Sequence, residues 1–497
     1  MRSMAIPVLK RLLFSTPKHK HLSILSFTSS SSPPSDQSET LISTVVSILT
    51  QLRSKSRWNH LHSLYPDGFH PNEFSQIALS LKNNPHLALR FFLWTQRKSL
   101  CTHNLLTHCT MVHILARARL KPQAQALIQT AIRVSEEDSL VSKPLKVFES
   151  LVKTYRPCGS APFVFDLLIE ACLETKKIDS AIEIVRMLRS RGISPKVGTL
   201  NSLVSLVLKC RGGRGGYEVY REVFGLEAEG EEEVEGNEKR GYRVRPNVHS
   251  FNALMLGFYQ DGLVEVEKVE MVWNEMVGFD CVPNGYSYSL LMAAYCEEGR
   301  MEEAEGLWEE MRVKGVEADV VGYNTMIGGF CKIGEMEKAE DFSREMGLNG
   351  VESSCSTYEY LVDGYCSVGD VYSALPVYKD MCRKGFRPGA STLDVVIGGL
   401  CGKGKVYEAL EILRGGVENF GVVPKGKSYE ALIKGLCEEG RMEEALKLQA
   451  EMVGKGFDPN LELYGAFLDG YFKQGNEEVA QVLRKEISET QMQGKEK

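Results

Sequence analysis

Residues 285–319 read GYSYSLLMAAYCEEGRMEEAEGLWEEMRVKGVEAD, and the unit they form recurs along the chain. Tyr288, Leu291, Met292 and Tyr295 fall at i, i+3, i+4 and i+7, one face of a helix. Gly299 closes that helix, because glycine takes the positive φ of a helix C-terminus without strain. Residues 301–311 predict a second helix with Ala304, Leu307, Trp308 and Met311 on one face, the small Ala304 letting the two helices approach closely. Gly315 ends the second helix and the chain turns into the next unit.

Reading outward, the first-helix positions Tyr288, Tyr323, Tyr358, Leu393, Tyr429 and Tyr464 are spaced by 35, 35, 35, 36 and 35 residues. Cys296, Cys331, Cys366, Cys401 and Cys437 keep the same period, as do Gly299, Gly334, Gly369, Gly404 and Gly440. So do Ala304, Ala339, Ala374, Ala409 and Ala445. Met311, Met346, Met381 and Met452 mark a later point, followed four residues on by Gly315, Gly350, Gly385 and Gly456. Six columns with one period exclude coincidence. Two amphipathic helices of about three turns cannot bury their faces alone. Stacked neighbours bury a continuous core, so the expected fold is all-α, a superhelical solenoid of tandem helix-turn-helix repeats of 35 residues.

Upstream, residues 162–196 fit the frame with Phe165, Ala181, Gly192 and Pro195. Residues 197–247 fit with an insertion of about 16 residues, and 248–284 with two extra. His108 to Leu127 resembles one degraded unit, and residues 41–100 read as helical without a period. The expected layout is a leader at 1–35, a degenerate helical region at 36–155, the repeat array at 156–490 with an acidic loop at 226–240, and a polar tail at 491–497.

The leader carries Arg2, Lys10, Arg11, Lys18 and Lys20 before the first acid, Asp36, and then a Ser-rich stretch. That composition predicts an organelle transit peptide, mitochondrial in the first instance and chloroplast as the alternative. A secretory signal fits worse because Lys10 and Arg11 interrupt the apolar run. No apolar run approaches the roughly 20 residues of a membrane span, so no membrane partner is expected. The 497 residues hold 59 Lys and Arg against 65 Asp and Glu. Cleavage of the five leader bases would leave 54, and a charge near -11.

Thirteen cysteines occur without any C-x-x-C, and five of them recur once per repeat. Equivalent points of a solenoid lie roughly 10 Å apart, whereas zinc ligands converge within about 4 Å of one another. Packing thiols are therefore expected, with no metal and no cofactor. Arg211-Gly212-Gly213-Arg214-Gly215-Gly216 reads as a turn between two helices, and Gly402-Lys403-Gly404-Lys405 lacks the spacing of a phosphate loop. Pro376, inside a second helix, predicts a local kink. No catalytic triad context or zinc-deaminase signature stands out, so a binding protein rather than an enzyme is expected.

The first helix Tyr323-Asn324-Thr325-Met326-Ile327-Gly328-Gly329-Phe330-Cys331-Lys332, followed by Gly334, Ala339, Met346 and Gly350, resembles the pentatricopeptide repeat family in its plain P-type form. Repeat ends such as Pro246-Asn247, Pro283-Asn284 and Pro459-Asn460 add to the resemblance. It implies a right-handed superhelix in a plant organelle that binds single-stranded RNA, one base per repeat. In the family, a residue directly after the first-helix aromatic and a residue ending the repeat read the base together. Carried over, these pairs are Asn201 with Asn247, Asn252 with Asn284, Ser289 with Asp319, and Asn324 with Ser354. The Asn pairs resemble pyrimidine readers and Ser289 with Asp319 a guanine reader. Val321 matches the family's base-flanking aliphatic, and Lys332 its basic residue after the cysteine.

Four pairs depart: Asp166 with Lys196, Glu359 with Gly389, Asp394 with Lys425, and Glu430 with Asn460. A carboxylate there only accepts, and it repels phosphates. Residues 197–354 are therefore the stretch expected to read RNA. Single-stranded organellar RNA is the expected partner. The alternative is a scaffold bound to an organellar ribosome or another protein complex, which the acidic positions favour.

Overall fold

A computed structural model describes residues 36–51, 56–134, 142–226, 244–261 and 265–493. The predicted leader, residues 227–240 of the acidic loop and the last four residues of the tail lie outside the described residues. The described residues form 24 helices and no strand. They divide into two compact units, the first ending at residue 261 and the second beginning at 262.

The N-terminal unit holds α1 (Asp36–Gln51), α2 (Ser56–Leu64), α3 (Pro71–Ser80), α4 (Pro85–Arg97), α5 (Leu105–Arg117), α6 (Lys121–Val134), α7 (Lys143–Cys158), α8 (Phe163–Glu174), α9 (Ile178–Ser190), α10 (Val197–Phe224) and α11 (Val248–Gln260). The degraded unit read around His108–Leu127 is the pair α5 and α6. The aperiodic stretch before it is helical as well, its core an aromatic cluster in which Phe74 stacks on Phe91 at 5.2 Å. In α10 the expected turn at Arg211–Gly216 shrinks to one residue. Gly212 alone leaves helical geometry, at φ +74°. The Gly213 N–H donates to the Asp261 carboxylate, and a Cβ on Gly213 would meet the Phe258 ring at 2.6 Å. These glycines are fixed by packing.

The C-terminal unit holds α12 (Val266–Gly278), α13 (Gly285–Glu298), α14 (Met301–Val313), α15 (Val320–Ile333), α16 (Met336–Leu348), α17 (Cys355–Ser367), α18 (Val371–Arg383), α19 (Ala390–Gly402), α20 (Val406–Phe420), α21 (Gly426–Glu438), α22 (Met442–Gly454), α23 (Leu461–Lys473) and α24 (Glu477–Gln493). From α13 onward each first helix packs on its own second helix and on the first helix of the next repeat. First helices are consequently buried on more than one side. In α13, Tyr288, Ser289, Leu290, Leu291, Met292 and Ala294 are all buried. Second helices bury one stripe, Met301, Ala304, Trp308 and Met311 in α14. Pro376 lies inside α18 without ending it, and α24 continues through residues expected to be tail.

The turn glycines sit where predicted, Gly299 at φ +75° and Gly315 at +68°. The turn survives where the column is broken: Lys176 and Asp280 take φ +56° and +54° in its place.

The tyrosine column also has a polar reason. Each buried ring reaches across its own repeat and donates its hydroxyl to an acid 22 residues on, Tyr288 to Glu310 at 3.0 Å and Tyr429 to Glu451 at 2.9 Å. Tyr323 with Glu345 and Tyr358 with Asp380 repeat the contact. Where Leu393 replaces tyrosine, residue 415 is glycine, and donor and acceptor are lost together.

Candidate nucleic-acid interface

The first helices bring the predicted reading residues to the N-terminus of the following repeat. Four N–H groups at a helix start lack intrahelical partners, and side chains of Ser, Asn or Asp satisfy them best. Asn247 caps α11 through Ser250, its Oδ1 accepting the Ser250 N–H at 3.2 Å. Asn201, one repeat earlier, donates Nδ2–H to Asn247 Oδ1 at 3.0 Å and accepts from the Ser250 hydroxyl at 2.7 Å. The arrangement recurs in the other unit. Asn324 donates to Ser354 Oγ at 3.0 Å and accepts from the Thr357 hydroxyl at 2.6 Å, while Ser354 and Thr357 cap α17 reciprocally. The pairs Asn201 with Asn247 and Asn324 with Ser354 are thus joined by direct hydrogen bonds.

Ser289 and Asp319 bond within their own helices instead. The buried Ser289 hydroxyl donates to Gly285 O at 2.9 Å, and exposed Asp319 caps α15 by accepting from Val321 N and Gly322 N, each at 3.0 Å. Asn252 is buried in the N-terminal unit, and exposed Asn284 caps α13 in the other. Val321 stands in solvent on the first turn of α15. Lys332 is held by the preceding first helix, its Nζ 2.5 Å from Glu297 Oε2 and 3.0 Å from Glu297 O. An exposed pair of this kind is worth about 0–1 kcal/mol, so a phosphate can displace it. The sequence reading passed over Tyr286, which occupies the Val321 position one repeat earlier and is likewise exposed. Its signal was the same 35-residue register.

Three of the carboxylate positions make contacts at the start of the next repeat. Asp166 Oδ1 accepts the Lys196 N–H at 2.9 Å, and Glu359 Oε1 accepts the Gly389 N–H at 2.9 Å. Asp394 accepts the Ser428 hydroxyl. The cap residues of α10, α19 and α21 are Lys196, Gly389 and Lys425, and none makes a side-chain cap bond of its own. At α10 and α19 a carboxylate from the preceding repeat accepts the cap residue's own N–H, next to the positive end of the helix dipole. Burial pushes the Asp166 carboxyl above its ordinary range, opposed by the Lys196 N–H. Asp363, one turn beyond Glu359, is raised to about 6 by burial and by the Glu359 charge.

Among the described residues no group of three or more His, Cys, Asp or Glu side chains is placed to hold a metal ion. The repeat thiols face packing neighbours, and burial raises Cys296 and Cys331 to about 12.

Stacked helix pairs, several capped partly by the repeat before them, define a helical-repeat protein. Sequence models described as PPR repeat family match residues 246–296, 318–367, 356–402 and 424–473. One described as PPR repeat matches 286–316, and one described as Pentatricopeptide repeat domain matches 163–209. The chain belongs to the pentatricopeptide repeat family. A pentatricopeptide repeat-containing protein of Arabidopsis thaliana is 50% identical over 273 residues, 54% of each chain, so the chain spans about half that relative's length. Another from Arabidopsis, named mitochondrial, is 27% identical over 208 residues, 41% of this chain and 29% of its own. Among solved structures, maize PPR10 in complex with an 18-nt psaJ RNA element aligns with a TM-score of 0.47 at 18% identity, covering 91% of this chain and 68% of that one.

Proposed function

We propose that the chain binds single-stranded RNA sequence-selectively in mitochondria and supports RNA stabilisation, processing, splicing or translation, with no chemistry of its own. The observation that carries this reading is the recurring contact of a first-helix Asn with the next repeat's cap, Asn201 with Asn247 and Asn324 with Ser354. Each Asn spends one N–H and one lone pair on this contact. An amide has two of each, so a donor and an acceptor remain for the edge of a pyrimidine. Exposed Tyr286 and Val321 stand at the flank where a base can stack. Family membership supports the reading, as do the mitochondrial names of several relatives at 24–29% identity and the acid-free basic leader.

The test is ultraviolet crosslinking of the tagged full chain in isolated plant mitochondria, followed by sequencing of the attached RNA. The expected footprint contains pyrimidine, pyrimidine, guanine, pyrimidine from 5′ to 3′, read by residues 197–354. Each base should add about 1–3 kcal/mol through stacking and edge contacts. Ser289→Asn with Asp319→Ser should move only the third preference, from guanine to pyrimidine. Absence of the tagged chain from mitochondria refutes the location. Recovery there without an enriched sequence refutes the RNA reading.

A further inference from the structure

Three consecutive second helices of the C-terminal unit, α12, α14 and α16, carry twelve carboxylates against four bases. The next three, α18, α20 and α22, carry seven against four. Three of the four bases on the first set already face carboxylates: Arg312 with Glu309 at 3.3 Å, Lys338 with Glu305 at 3.2 Å, and Arg344 with Asp341 at 2.8 Å. Pairs that cross between repeats tie the three helices into one face. Lys338 to Glu305 and Arg312 to Glu345, at 3.9 Å, link α16 with α14. Arg300, at the start of α14, reaches Glu270 of α12 at 3.3 Å.

The same three helices end in aliphatic side chains in water. Val313 and Leu348, one repeat apart in the same register, are 85% and 81% exposed. Val277 at the end of α12 and Val282 just after it are exposed too. These ends are anchored, because the neighbouring Met276, Met311 and Met346 are fully buried. Aliphatics held in solvent beside a dense negative field offer a partner apolar burial and opposed charge together. The charge of this face, twelve carboxylates against four bases, repels nucleic acid and repels a second copy of itself.

We propose that this face docks a basic amphipathic helix of a partner protein. The partner's aliphatic stripe lies on the Val277–Val313–Leu348 row and its Lys and Arg side chains lie along the carboxylates of α12, α14 and α16. Apolar burial supplies the hold, and the opposed charges set partner choice and speed of encounter. The site is independent of the RNA reading, because it lies on second helices whereas the reading residues lie on first helices and their caps.

The test uses the full chain and a fluorescein-labelled 18-residue peptide with Leu at i, i+3, i+4 and i+7 and Lys elsewhere, read by anisotropy. A control peptide has every Leu replaced by Ser at equal charge. The Leu peptide should bind at least about tenfold tighter than the control. Val313→Ser with Leu348→Ser should weaken it by about tenfold, the loss of two contacts at an interface centre. Val453→Ser, an exposed aliphatic on α22 outside the face, should change nothing. Glu302→Gln with Glu337→Gln should weaken binding and flatten its salt dependence. Circular dichroism confirms that each variant is folded, and RNA crosslinking should match wild type in the serine variant. Equal binding of both peptides, or an unchanged serine variant, overturns the proposal in favour of bare charge attraction. A wild-type dimer in sedimentation that the serine variant dissociates assigns the row to a second copy and overturns it as well.

Discussion

Glu359 accepts the Gly389 N–H and Asp166 the Lys196 N–H, each at a helix whose cap residue makes no side-chain cap bond, and Asp394 accepts the Ser428 hydroxyl at the start of α21. Where the cap has its own oxygen, as at Asn247 and Ser354, the partner is an Asn that shares the bond. One position therefore alternates between closing the next helix alone and reinforcing a cap already closed. Glu359→Ala removes an acceptor at a helix start, a loss of about 1 kcal/mol. Amides 389–393 should then exchange about fivefold faster with deuterium, while Glu359→Gln, which keeps a side-chain oxygen, should stay near wild type. Unchanged exchange in the alanine variant contradicts the capping role. The pairing of positions was legible in the sequence through the family's spacing. What the carboxylates do there was not, because the N–H they accept belongs to a residue 30 positions away, and only the fold brings the two together.

At the scale of the element, the contact between consecutive first helices is set by glycines. A Cβ on Gly329 would stand 2.6 Å from Cys296 Sγ of the preceding repeat, and one on Gly364 would stand 2.8 Å from Cys331 Sγ. Gly435 and Gly470 meet instead Val406 and Met442, at the starts of the second helices of their preceding repeats. Cys296 and Cys331 are thus knobs for which the next first helix leaves a gap. The Cys296 thiol, raised to about 12 by burial, is a packing group in the neutral form. Gly329→Ala overpacks this seam and should cost about 1–3 kcal/mol. Adding Cys296→Ala removes the opposing sulfur and should restore most of the loss, a coupling readable in a double-mutant cycle of thermal unfolding. Additive losses would show that the two columns do not touch. The helices, their turns and the small Ala304 column were legible because 3.6-residue and 35-residue periods are printed in the chain. The glycine column has the same 35-residue period, yet its reason is a distance between helices, and a period states what recurs without stating what it meets.

Across the whole molecule the two units respond to acid differently. His103, His108 and His113 all lie in the N-terminal unit, and burial holds each below the ordinary histidine range, His103 to about 3 and His113 to about 4. His113 is locked as a neutral ring. Its Nε2 lies 3.0 Å from Leu151 O, which can only accept, so Nε2 carries the proton and Nδ1 accepts from the Ser160 hydroxyl at 2.6 Å. A group whose folded pKa is depressed binds protons first in the unfolded chain, so stability is lost as pH falls below about 6.5. For His113 that loss reaches about 2 kcal/mol at pH 5 and continues to about pH 4. Asp166 works against it, since burial raises its carboxyl. In the C-terminal unit the sign is reversed over the same range. Asp363, raised to about 6, gains its proton more readily in the folded state, so acidification from pH 6 stabilises that unit. The ion-paired carboxylates there, Glu310 and Asp380 among them, sit below their ordinary range and cost stability only under about pH 4.5. Hydrogen exchange at pH 7 and pH 5, corrected for intrinsic rates, should therefore show amides of residues 105–158 losing protection while those of 285–473 hold or gain. His113→Gln, which can still donate to Leu151 and accept from Ser160, should lessen the loss in the N-terminal unit, with His103 and His108 supplying the remainder, and leave the other unchanged. Equal loss in both units, or an undiminished loss in the glutamine variant, would place the acid sensitivity elsewhere than in the buried histidines.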